Sequence, residues 1–526
     1  MVSTKVKSEM MSPTLCLDPP LITALRDDLV CADWTVTTTD ALLSSGASLA
    51  LASDQLVPAS VELATNGSPA ALLTRLFVLA EVLTSSECAV AFPTLSPAGA
   101  TDLGLIQERE QGGFSARVDL RPHAATLPDA EGRPSRDKNW WVASDLSQAQ
   151  TGLPPRQDYV LGIASASTTL LNLTIRKPVE SALDLGCGSG VLALYLAEHV
   201  RKVTATDISE RACMFTRFNA ALNQVDIDVR QGSLFEPVSS DRFDLITSNP
   251  PFVITPDSVR AKVSLEYRDG MMERDSLIPL ILEEGLTHLT PGGVLQMLAN
   301  WEVGDDVWQA RPEMWVERAA APIVDRGQGV RAWIVQRDLV GTPTYSAWWM
   351  RDAHGDGMVR EAWNAELREW LSDFAAARTK QVGLGSINVT LTSKPEVVVV
   401  SEFLQDGSAP DGQAASTALS NLQIPDDWED LAFRRSPDVR EVRYYQPGES
   451  DPEMIMLAQG RAGGRERQVG SALAAFVGVA DGELTAKQVI PAIAVLLGKE
   501  SEEIRAEIQA SLPELLRSGV LRVARP

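Results

Sequence analysis

The sequence has few of the residues that build metal sites and disulfide frameworks. It contains four histidines and five cysteines in 526 residues. The cysteines are odd in number, widely scattered and never spaced as CxxC, so they predict neither a zinc site nor a set of disulfides. So few histidines also disfavour a histidine-based metal centre. We therefore expect a protein that uses no metal and works in a reducing cytoplasm.

Long apolar runs and positive charge are also scarce. No run reaches eighteen apolar residues, so we expect no transmembrane helix. The first twenty residues lack the continuous apolar stretch of a secretory signal. The formal net charge is −23, which argues against a broad basic surface for a phosphate backbone but does not exclude a local basic groove.

The chain is long enough for two to four domains, and its composition changes along its length. Residues 1–20 are expected to form a disordered tail. Residues 21–150 combine short helical patterns with a hairpin that turns at Gly112-Gly113, which predicts a winged-helix-like module. Residues 403–425 are rich in Gly, Ser, Ala and Asp, which predicts a linker. Two helical patterns and a short strand in residues 426–526 predict a second winged-helix-like module.

Residues 155–400 follow a different pattern. Seven short apolar runs, among them SALDLG, KVTATD and FDLITS, alternate with helical stretches such as VLALYLAEHV. Alternating strands and helices predict βαβ units and a mostly parallel, seven-stranded sheet. The predicted fold class is therefore α/β, with a Rossmann-like central domain between two α+β modules.

A glycine-rich loop, Asp184-Leu-Gly186-Cys-Gly188-Ser-Gly190, follows the first of these strands and opens a helix. Glycines at this position let the backbone approach a ligand closely. Asp207 ends the next strand, where a carboxylate can accept both hydroxyls of a ribose. A tight turn without a ligand is the competing interpretation, but the order strand, loop, helix, strand, Asp disfavours it. The G-x-G-x-G spacing also differs from the G-x-G-x-x-G of NAD-binding proteins, which disfavours an NAD-dependent oxidoreductase.

The fourth strand ends in Asn249-Pro250-Pro251-Phe252. Two prolines cannot donate to a sheet ladder, so the strand must end there. The side-chain oxygen of Asn249 and the carbonyl of Pro250 can each accept a hydrogen bond from one NH2 group, and Phe252 offers a face on which a planar group can stack. Two acceptors would orient a weakly nucleophilic planar nitrogen for in-line displacement and stabilise its developing charge. A strand-ending turn with no further role is the competing interpretation.

Taken together, the glycine loop, Asp207 and Asn249-Pro250-Pro251-Phe252 resemble class I S-adenosylmethionine (SAM)-dependent methyltransferases of the methyltransferase small domain group, over roughly residues 158–300. That group includes release-factor glutamine methyltransferases and methyltransferases of base amino groups in RNA and DNA. The resemblance implies SAM as cofactor, S-adenosylhomocysteine as product, no metal, and N-methylation of a protein amide or a nucleic-acid base. It also implies a macromolecular partner, such as a translation factor, a ribosomal protein, RNA or DNA, and no membrane.

The same resemblance assigns roles to individual residues. The cofactor would be held by the glycine loop, the ends of the next strands and the segment before the first strand: Asp184, Gly186, Cys187, Gly188, Gly190, Asp207, Ile208, Gly232, Ser233, Leu234, Asn249, Ser167 and Thr168. The catalytic residues would be Asn249, Pro250, Pro251 and Phe252, and the substrate would meet Tyr267, Arg268 and Asp269. Ser233 departs from the group, because many relatives have an acid at that position. A helix N-cap is the competing interpretation for Ser167 and Thr168, and a solvated loop for residues 267–269.

Both flanking modules are acidic, so we expect protein contacts, a homodimer among them, more than DNA binding. Two arginine-rich stretches, residues 433–448 and 461–467, could instead follow a nucleic-acid strand, although a solvated loop is the favoured interpretation of each. The alternative function is a non-catalytic SAM-binding regulator that binds nucleic acid or protein through its flanking modules.

Overall fold

The computed structural model describes residues 14–127, 136–262, 265–270, 272–404, 409–460 and 466–524. The strands within these residues are β1 (Ile106–Glu108), β2 (Phe114–Ala116), β3 (Asp119–Leu127), β4 (Arg136–Ser144), β5 (Val179–Leu185), β6 (Val200–Asp207), β7 (Ile227–Gln231), β8 (Phe243–Ser248), β9 (Leu289–Val303), β10 (Gly329–Gly341), β11 (Gln381–Thr392), β12 (Val397–Phe403), β13 (Ala432–Arg435), β14 (Val439–Tyr444), β15 (Met454–Gln459), β16 (Glu466–Val469), β17 (Asp481–Thr485) and β18 (Leu521–Val523).

The α-helices within the same residues are α1 (Pro19–Cys31), α2 (Val36–Ala41), α3 (Ser45–Leu51), α4 (Val57–Leu63), α5 (Pro69–Leu73), α6 (Ser85–Ala91), α7 (Ser96–Asp102), α8 (Gln148–Thr151), α9 (Ser165–Leu173), α10 (Val191–Leu196), α11 (Glu210–Leu222), α12 (Asp257–Arg260), α13 (Leu277–Thr287), α14 (Ala310–Val324), α15 (Thr342–His354), α16 (Arg360–Ala376), α17 (Gly412–Ser420), α18 (Ser471–Gly478), α19 (Ala486–Leu497) and α20 (Ser501–Arg517). Short π and 3-10 turns occur at Thr74–Val78, Glu236–Val238, Gly355–Gly357 and Trp428–Asp430. None of the helices in the described ranges is long and apolar enough to cross a bilayer.

A sheet of eight strands forms the centre of the described structure, in the order β12–β10–β11–β9–β8–β5–β6–β7. Its strands are parallel except β11, which runs antiparallel to both neighbours. The prediction of a mostly parallel α/β sheet is confirmed, and the sheet has one strand more than the seven predicted. The extra strand, β12, comes from a valine-rich run and pairs with the edge of β10. Valine favours strands because its branched side chain packs well on a pleated surface.

Helices cover both faces of this sheet, as a buried parallel sheet requires. On one face, Leu282 of α13 and Trp315 of α14 pack in a cluster with strand residues such as Ile246. On the other face, α9, α10 and α17 contribute buried residues such as Leu170 and Leu194. Strands β5, β6, β7 and β8 therefore all deliver their carboxyl ends to one edge between the two helical layers.

The linker prediction for residues 403–425 is wrong where the chain forms the packed helix α17. The Asp411 carboxylate caps α17 by accepting a hydrogen bond from the backbone N–H of Ala414 at 2.7 Å. Ala415, Ala418 and Leu419 are buried against the sheet. Small residues let this helix approach the sheet closely. Because small residues are also typical of linkers, the composition alone predicted a linker. Residues 405–408 lie outside the described residues.

The predicted tail, residues 1–20, is ordered in the part that the structure describes. Leu15 is buried, and the backbone N–H of Cys16 donates to the carbonyl of Leu103 at 3.0 Å. Asp18 then caps α1 by accepting from the N–H of Leu21 at 3.1 Å. The tail prediction is therefore wrong for residues 14–20, and residues 1–13 lie outside the described residues.

The N-terminal region, predicted as residues 21–150, consists of helices α1–α7 followed by two hairpins. The first hairpin, β1 with β2, turns through Gly112-Gly113 as predicted, and both glycines have positive φ. In the second hairpin, β4 is fixed to α11 by two asparagines. The Asn219 amide exchanges two hydrogen bonds with the backbone of Ala143, and the Asn223 amide does the same with Trp141, all at 2.8–2.9 Å. Phe215 and Phe218 of α11 also pack in one cluster with Trp34 and Phe77, so the region shares a core with the central domain. Its winged-helix-like class stays a prediction.

The C-terminal region, predicted as residues 426–526, contains the two helices and the strand read from its sequence, as α19, α20 and β18. These pack with α18 around residues such as Phe476 and Ile508. A three-stranded sheet, β17–β13–β18, and a separate meander, β14–β15–β16, complete the region. Arg517 of α20 donates to Glu402 of β12 at 2.9 Å, which ties the region to the central sheet. The winged-helix-like class stays a prediction here as well, and residues 461–465 of the second arginine-rich stretch lie outside the described residues.

Candidate active site

The carboxyl ends of the central strands border a cavity of about 990 Å³, which we call the carboxyl-edge cavity. Its walls bring together most of the residues predicted for the cofactor and the substrate nitrogen: Ser167, Asp184, Gly186, Cys187, Gly188, Asp207, Ile208, Gly232, Ser233, Leu234, Asn249, Pro250 and Pro251. In an open α/β sheet, ligands bind outside the carboxyl ends of the strands. The cavity is therefore the candidate active site.

The glycine loop has a backbone that other residues adopt only with strain. Gly186, Gly188 and Gly190 have φ of 80°, 53° and 80°, in the left-handed region. A Cβ added at Gly186 or Gly188 would meet no described atom within 4 Å, whereas at Gly190 it would lie 2.8 Å from Thr216. The first two glycines thus leave open space for a ligand, and the third allows close packing onto α11.

Asp184 and Asp207 place two carboxyl groups on the same wall. Asp184 is 1% exposed, and its Oδ2 has no hydrogen-bond partner among the described residues. Burial, with the nearby charge of Asp207, raises the pKa of Asp184 to about 7. Asp207 accepts hydrogen bonds from the backbone N–H groups of Gly188 and Ser209, each at 2.9 Å, and burial raises its pKa as well. Each Asp207 oxygen retains acceptor capacity for a ribose hydroxyl.

Apolar side chains flank the same wall where a planar ring would lie. Ile208 is 59% exposed although it follows a buried strand, and Leu234 lies across the cavity wall with a positive φ of 46°. The backbone N–H of Gly232 donates to the carbonyl of Asp207 at 2.9 Å, which holds the two segments together. These features fit SAM, which is cationic and carries a ribose and a purine. The unpaired Asp184 oxygen suits a cation, the free acceptors of Asp207 suit a ribose, and the exposed aliphatic side chains suit a purine.

Asn249 follows the last residue of β8 and lies on the wall beside Pro250 and Pro251. Its Nδ2 donates a long hydrogen bond to Ser167 Oγ at 3.5 Å. Its Oδ1 is buried and has no partner among the described residues. A buried acceptor without a partner is rare in native proteins, so this oxygen is available for a ligand N–H.

Phe252 and Thr168 do not reach the cavity wall that the structure describes. Phe252 is half-buried and packs against three apolar clusters, because the chain after Pro251 pairs with Asp269. Thr168 donates its hydroxyl hydrogen to the carbonyl of Ala164 within α9. The stacking role of Phe252 stays a prediction. The N-cap of α9 is Ala164, so the interpretation of Ser167 and Thr168 as helix N-caps is wrong.

The substrate candidates have different positions. Tyr267 lines the cavity and donates its hydroxyl hydrogen to Asp352 at 2.8 Å. Arg268 is buried and forms ion pairs with Asp269 at 3.0 Å and with Asp352 at 3.3 Å. Asp269 reaches the wall, but its oxygens also accept from Thr255 and from the Leu265 N–H. We interpret Arg268 and Asp269 as positioning residues that shape the loop, and Tyr267 as the member that can touch substrate.

Sequence reasoning did not single out Tyr159, which also lines the cavity. Its ring contacts that of Tyr267 edge-on, with centroids 5.6 Å apart, and the backbone N–H of Glu266 donates to the carbonyl of Gln157 at 3.0 Å. Two segments from distant parts of the chain thus meet over the cavity. No local pattern marked Tyr159, which precedes β5 by twenty residues with α9 between them.

Cys187 is buried within the glycine loop. The Thr216 hydroxyl donates to its sulfur at 3.2 Å, and contact with the Cys213 thiol, together with burial, raises the pKa of Cys187. A thiol held in its protonated form is a poor nucleophile. The arrangement supports the packing role expected for it. Within the described residues, no group of three or more His, Cys, Asp or Glu side chains is arranged to hold a metal ion.

The sheet order, the helices on both faces and the ligand site at the carboxyl edge define a class I SAM-dependent methyltransferase. A family model described as "Methyltransferase small domain" matches residues 162–307, and one described as "Domain of unknown function (DUF7059)" matches residues 31–117. The release factor glutamine methyltransferase of Aliivibrio fischeri is 30% identical over 212 residues, which cover 39% of this chain and 71% of that protein. The chain therefore belongs to the methyltransferase small domain family.

Two further relatives match shorter parts. The ribosomal protein uL3 glutamine methyltransferase of Bradyrhizobium diazoefficiens is 31% identical, over 31% of this chain and 52% of that protein. The ribosomal RNA small subunit methyltransferase C of Salmonella arizonae is 34% identical, over 26% of this chain and 36% of that protein. The chain thus spans about half and about a third of the length of these two relatives.

Proposed function

We propose that the protein transfers the methyl group of SAM to a planar nitrogen, and that this nitrogen belongs to a side-chain amide of a protein. SAM supplies a methyl group on a sulfonium centre, which a nitrogen lone pair can attack in line. The observation that carries the proposal is the orphan Oδ1 of Asn249, on the wall of the cavity that also holds the glycine loop and Asp207. An unpaired buried acceptor costs about 1–3 kcal/mol, and a substrate N–H would remove that cost.

The residues around Asn249 explain how the nitrogen would be held. The Asn249 Oδ1 and the Pro250 carbonyl would each accept one N–H of the same NH2 group, and the prolines restrict the backbone that carries these acceptors. The hydrogen bond from Nδ2 to Ser167 keeps the amide in the orientation that leaves Oδ1 free. Both acceptors become more favourable as positive charge develops on the nitrogen. No base is needed before the methyl group moves, because that charge appears only as the new bond forms. The S–CH3 bond breaks as the N–CH3 bond forms, S-adenosylhomocysteine leaves as a neutral thioether, and the nitrogen then releases one proton to solvent.

The charge of the cavity favours an amide over a nucleotide. Six carboxyl groups line it (Asp158, Asp184, Asp207, Glu210, Glu266 and Asp269) against two guanidinium groups. Both cations are already engaged, since Arg211 pairs with Asp145 and Arg217 donates to the carbonyl of Val229. Asp158 and Asp269 are ion-paired with Arg156 and Arg268, which leaves four carboxyl groups without a cationic partner among the described residues. A flipped nucleotide would bring phosphate groups toward this acidic wall, whereas an amide side chain is neutral. The two relatives named as glutamine methyltransferases agree with an amide, and a ribosomal protein or release factor as substrate would place the reaction in the cytoplasm.

The test compares methyl transfer with cofactor binding. Wild-type protein and the variants Asn249→Ala and Asn172→Ala are incubated with methyl-labelled SAM and a cell lysate, which is then treated with nuclease or protease. Asn172 is exposed on α9, so it serves as the matched control. We expect label that survives nuclease and is lost with protease, from wild type and control but not from Asn249→Ala, with SAM affinity unchanged in all three.

Other outcomes would overturn parts of the proposal. Label that survives protease would make a nucleic-acid base the substrate. Full transfer by Asn249→Ala would remove the role assigned to its side chain. SAM binding by wild type without transfer to any macromolecule would favour the alternative, a non-catalytic regulator.

A further inference from the structure

A second cavity lies at the opposite edge of the central sheet, where β5, β8, β9 and β10 begin. It encloses about 560 Å³, and we call it the amino-edge cavity. It is bordered by the segment before β5, by the start of β9 and by α17. Its volume falls in the range of small-molecule sites, and the sheet separates it from the carboxyl-edge cavity.

The charge of the amino-edge cavity is opposite to that of the active-site candidate. Lys177 and Arg331 line it, with Asp244 as the one acidic residue on the described wall. The Asp244 carboxylate is already saturated: its Oδ2 accepts from the N–H groups of Glu180 and Ser181, and its Oδ1 accepts from the Thr290 hydroxyl at 2.7 Å. The cavity therefore offers cationic donors in a chain whose net charge is −23.

Both cations keep unused hydrogen-bonding capacity. Lys177 is exposed and has no hydrogen bond or ion pair with any described residue. The Nε of Arg331 is buried without a partner among the described residues, and its Nη2 lies 3.5 Å from a Glu396 oxygen. A buried guanidinium N–H without an acceptor carries a desolvation cost. An oxyanion in the cavity would remove this cost and pair with both side chains.

The other residues that line the cavity indicate the chemistry of the rest of such a ligand. Leu245, Val294 and Leu419 present apolar surface, and Ser416 and Ser420 of α17 add hydroxyl groups. An apolar body with one anionic group matches this combination better than an inorganic ion alone. We propose that the amino-edge cavity binds a small organic oxyanion, a phosphate monoester or a carboxylate, with Lys177 and Arg331 as its cationic partners.

The test uses phenyl phosphate and benzoate as probes, each titrated into the full chain and followed by calorimetry and by ligand-observed NMR. We expect saturable binding of at least one probe, and the stronger of the two identifies phosphate or carboxylate as the preferred group. Lys177→Ala and Arg331→Gln should each weaken binding about tenfold or more. The matched controls Lys202→Ala and Arg326→Gln change exposed cations outside the cavity and should leave binding unchanged.

Two measurements keep the inference open to refutation if Arg331→Gln fails to fold. Lys177 is exposed, so Lys177→Ala should fold and carries the test alone. Saturating SAM should not displace the probe, because the two cavities lie at opposite edges of the sheet. Absence of binding by both probes, unchanged affinity in Lys177→Ala, or displacement by SAM would each overturn the proposal.

Discussion

Asp184 is a carboxyl group whose burial works against the stability of the ligand-free protein. It is 1% exposed, one oxygen lacks a partner among the described residues, and its pKa is raised to about 7. The folded protein therefore still holds this proton at pH values where the unfolded chain, with a pKa near 3.9, has released it. Through this group, stability is highest below the unfolded pKa and falls as the pH rises toward 7.

The size of the effect follows from the two pKa values. A difference of about three pKa units between the folded and unfolded states lowers the free energy of unfolding by about 4 kcal/mol at pH 8, and by less than half of that at pH 5. Asp184→Asn removes the ionisation while preserving the shape of the side chain. The free energy of unfolding of the variant, relative to that of wild type, should therefore increase by about 2.5 kcal/mol as the pH rises from 5 to 8. This corresponds to roughly 5 °C in the unfolding midpoint of a domain of this size.

The assay is a series of thermal melts of wild type, Asp184→Asn and the exposed control Asp226→Asn from pH 5 to pH 8. Calorimetric titration with SAM accompanies each melt at pH 8. Asp184→Asn should also weaken SAM binding about tenfold or more, because it removes a carboxylate that can pair with a cationic ligand. A midpoint difference between Asp184→Asn and wild type that does not grow with pH would refute the assigned pKa. An unchanged SAM affinity would refute its role in the site.

Three further changes probe the loop and the walls. Gly188→Ala adds a methyl group toward open cavity space at a φ of 53° and should abolish SAM binding. The control Gly152→Ala has a similar φ of 67° and no described atom within 4 Å of its Cβ, so it should cost only about 1 kcal/mol of stability. Tyr267→Phe removes the 2.8 Å hydrogen bond to Asp352 and should slow methyl transfer several-fold at unchanged SAM affinity. Equal rates in this variant and in the exposed-site control Tyr444→Phe would contradict the substrate role of Tyr267. Arg268→Ala leaves Asp269 buried without its ion pair and should lower the free energy of unfolding by about 3 kcal/mol, measured by urea denaturation against Arg326→Ala.

The parts of the site that could be predicted depend on local sequence. The glycine loop, Asp207 and Asn249 each stand at the end of a strand, so the parallel sheet alone brings them to one edge. The positive φ angles of the loop explain why glycine is needed there. Nothing beyond the strand order was required to place these residues together.

The errors arose where distant segments decide the position of a side chain. Phe252 lies off the described cavity wall, and the residues after it pack on α15 and α16, where the Tyr345 hydroxyl accepts from the backbone N–H of Ile254 at 3.0 Å. Helix α17 was missed because the small residues that suit close packing also suit a linker. Tyr159 acquires its place from contact with Tyr267, more than a hundred residues later, so no local pattern could reveal the pair.

The chemical form of the transferred methyl group tests the central claim most directly. Protein labelled by the wild-type chain is purified, hydrolysed in strong acid and analysed for volatile labelled methylamine. An N-methylated side-chain amide yields methylamine under these conditions, together with the free carboxylic acid, so we expect the label in that fraction and an N-methylated glutamine or asparagine in enzymatic digests. Label that leaves as methanol, or that remains on lysine or arginine, would contradict methyl transfer to a planar amide nitrogen held by Asn249.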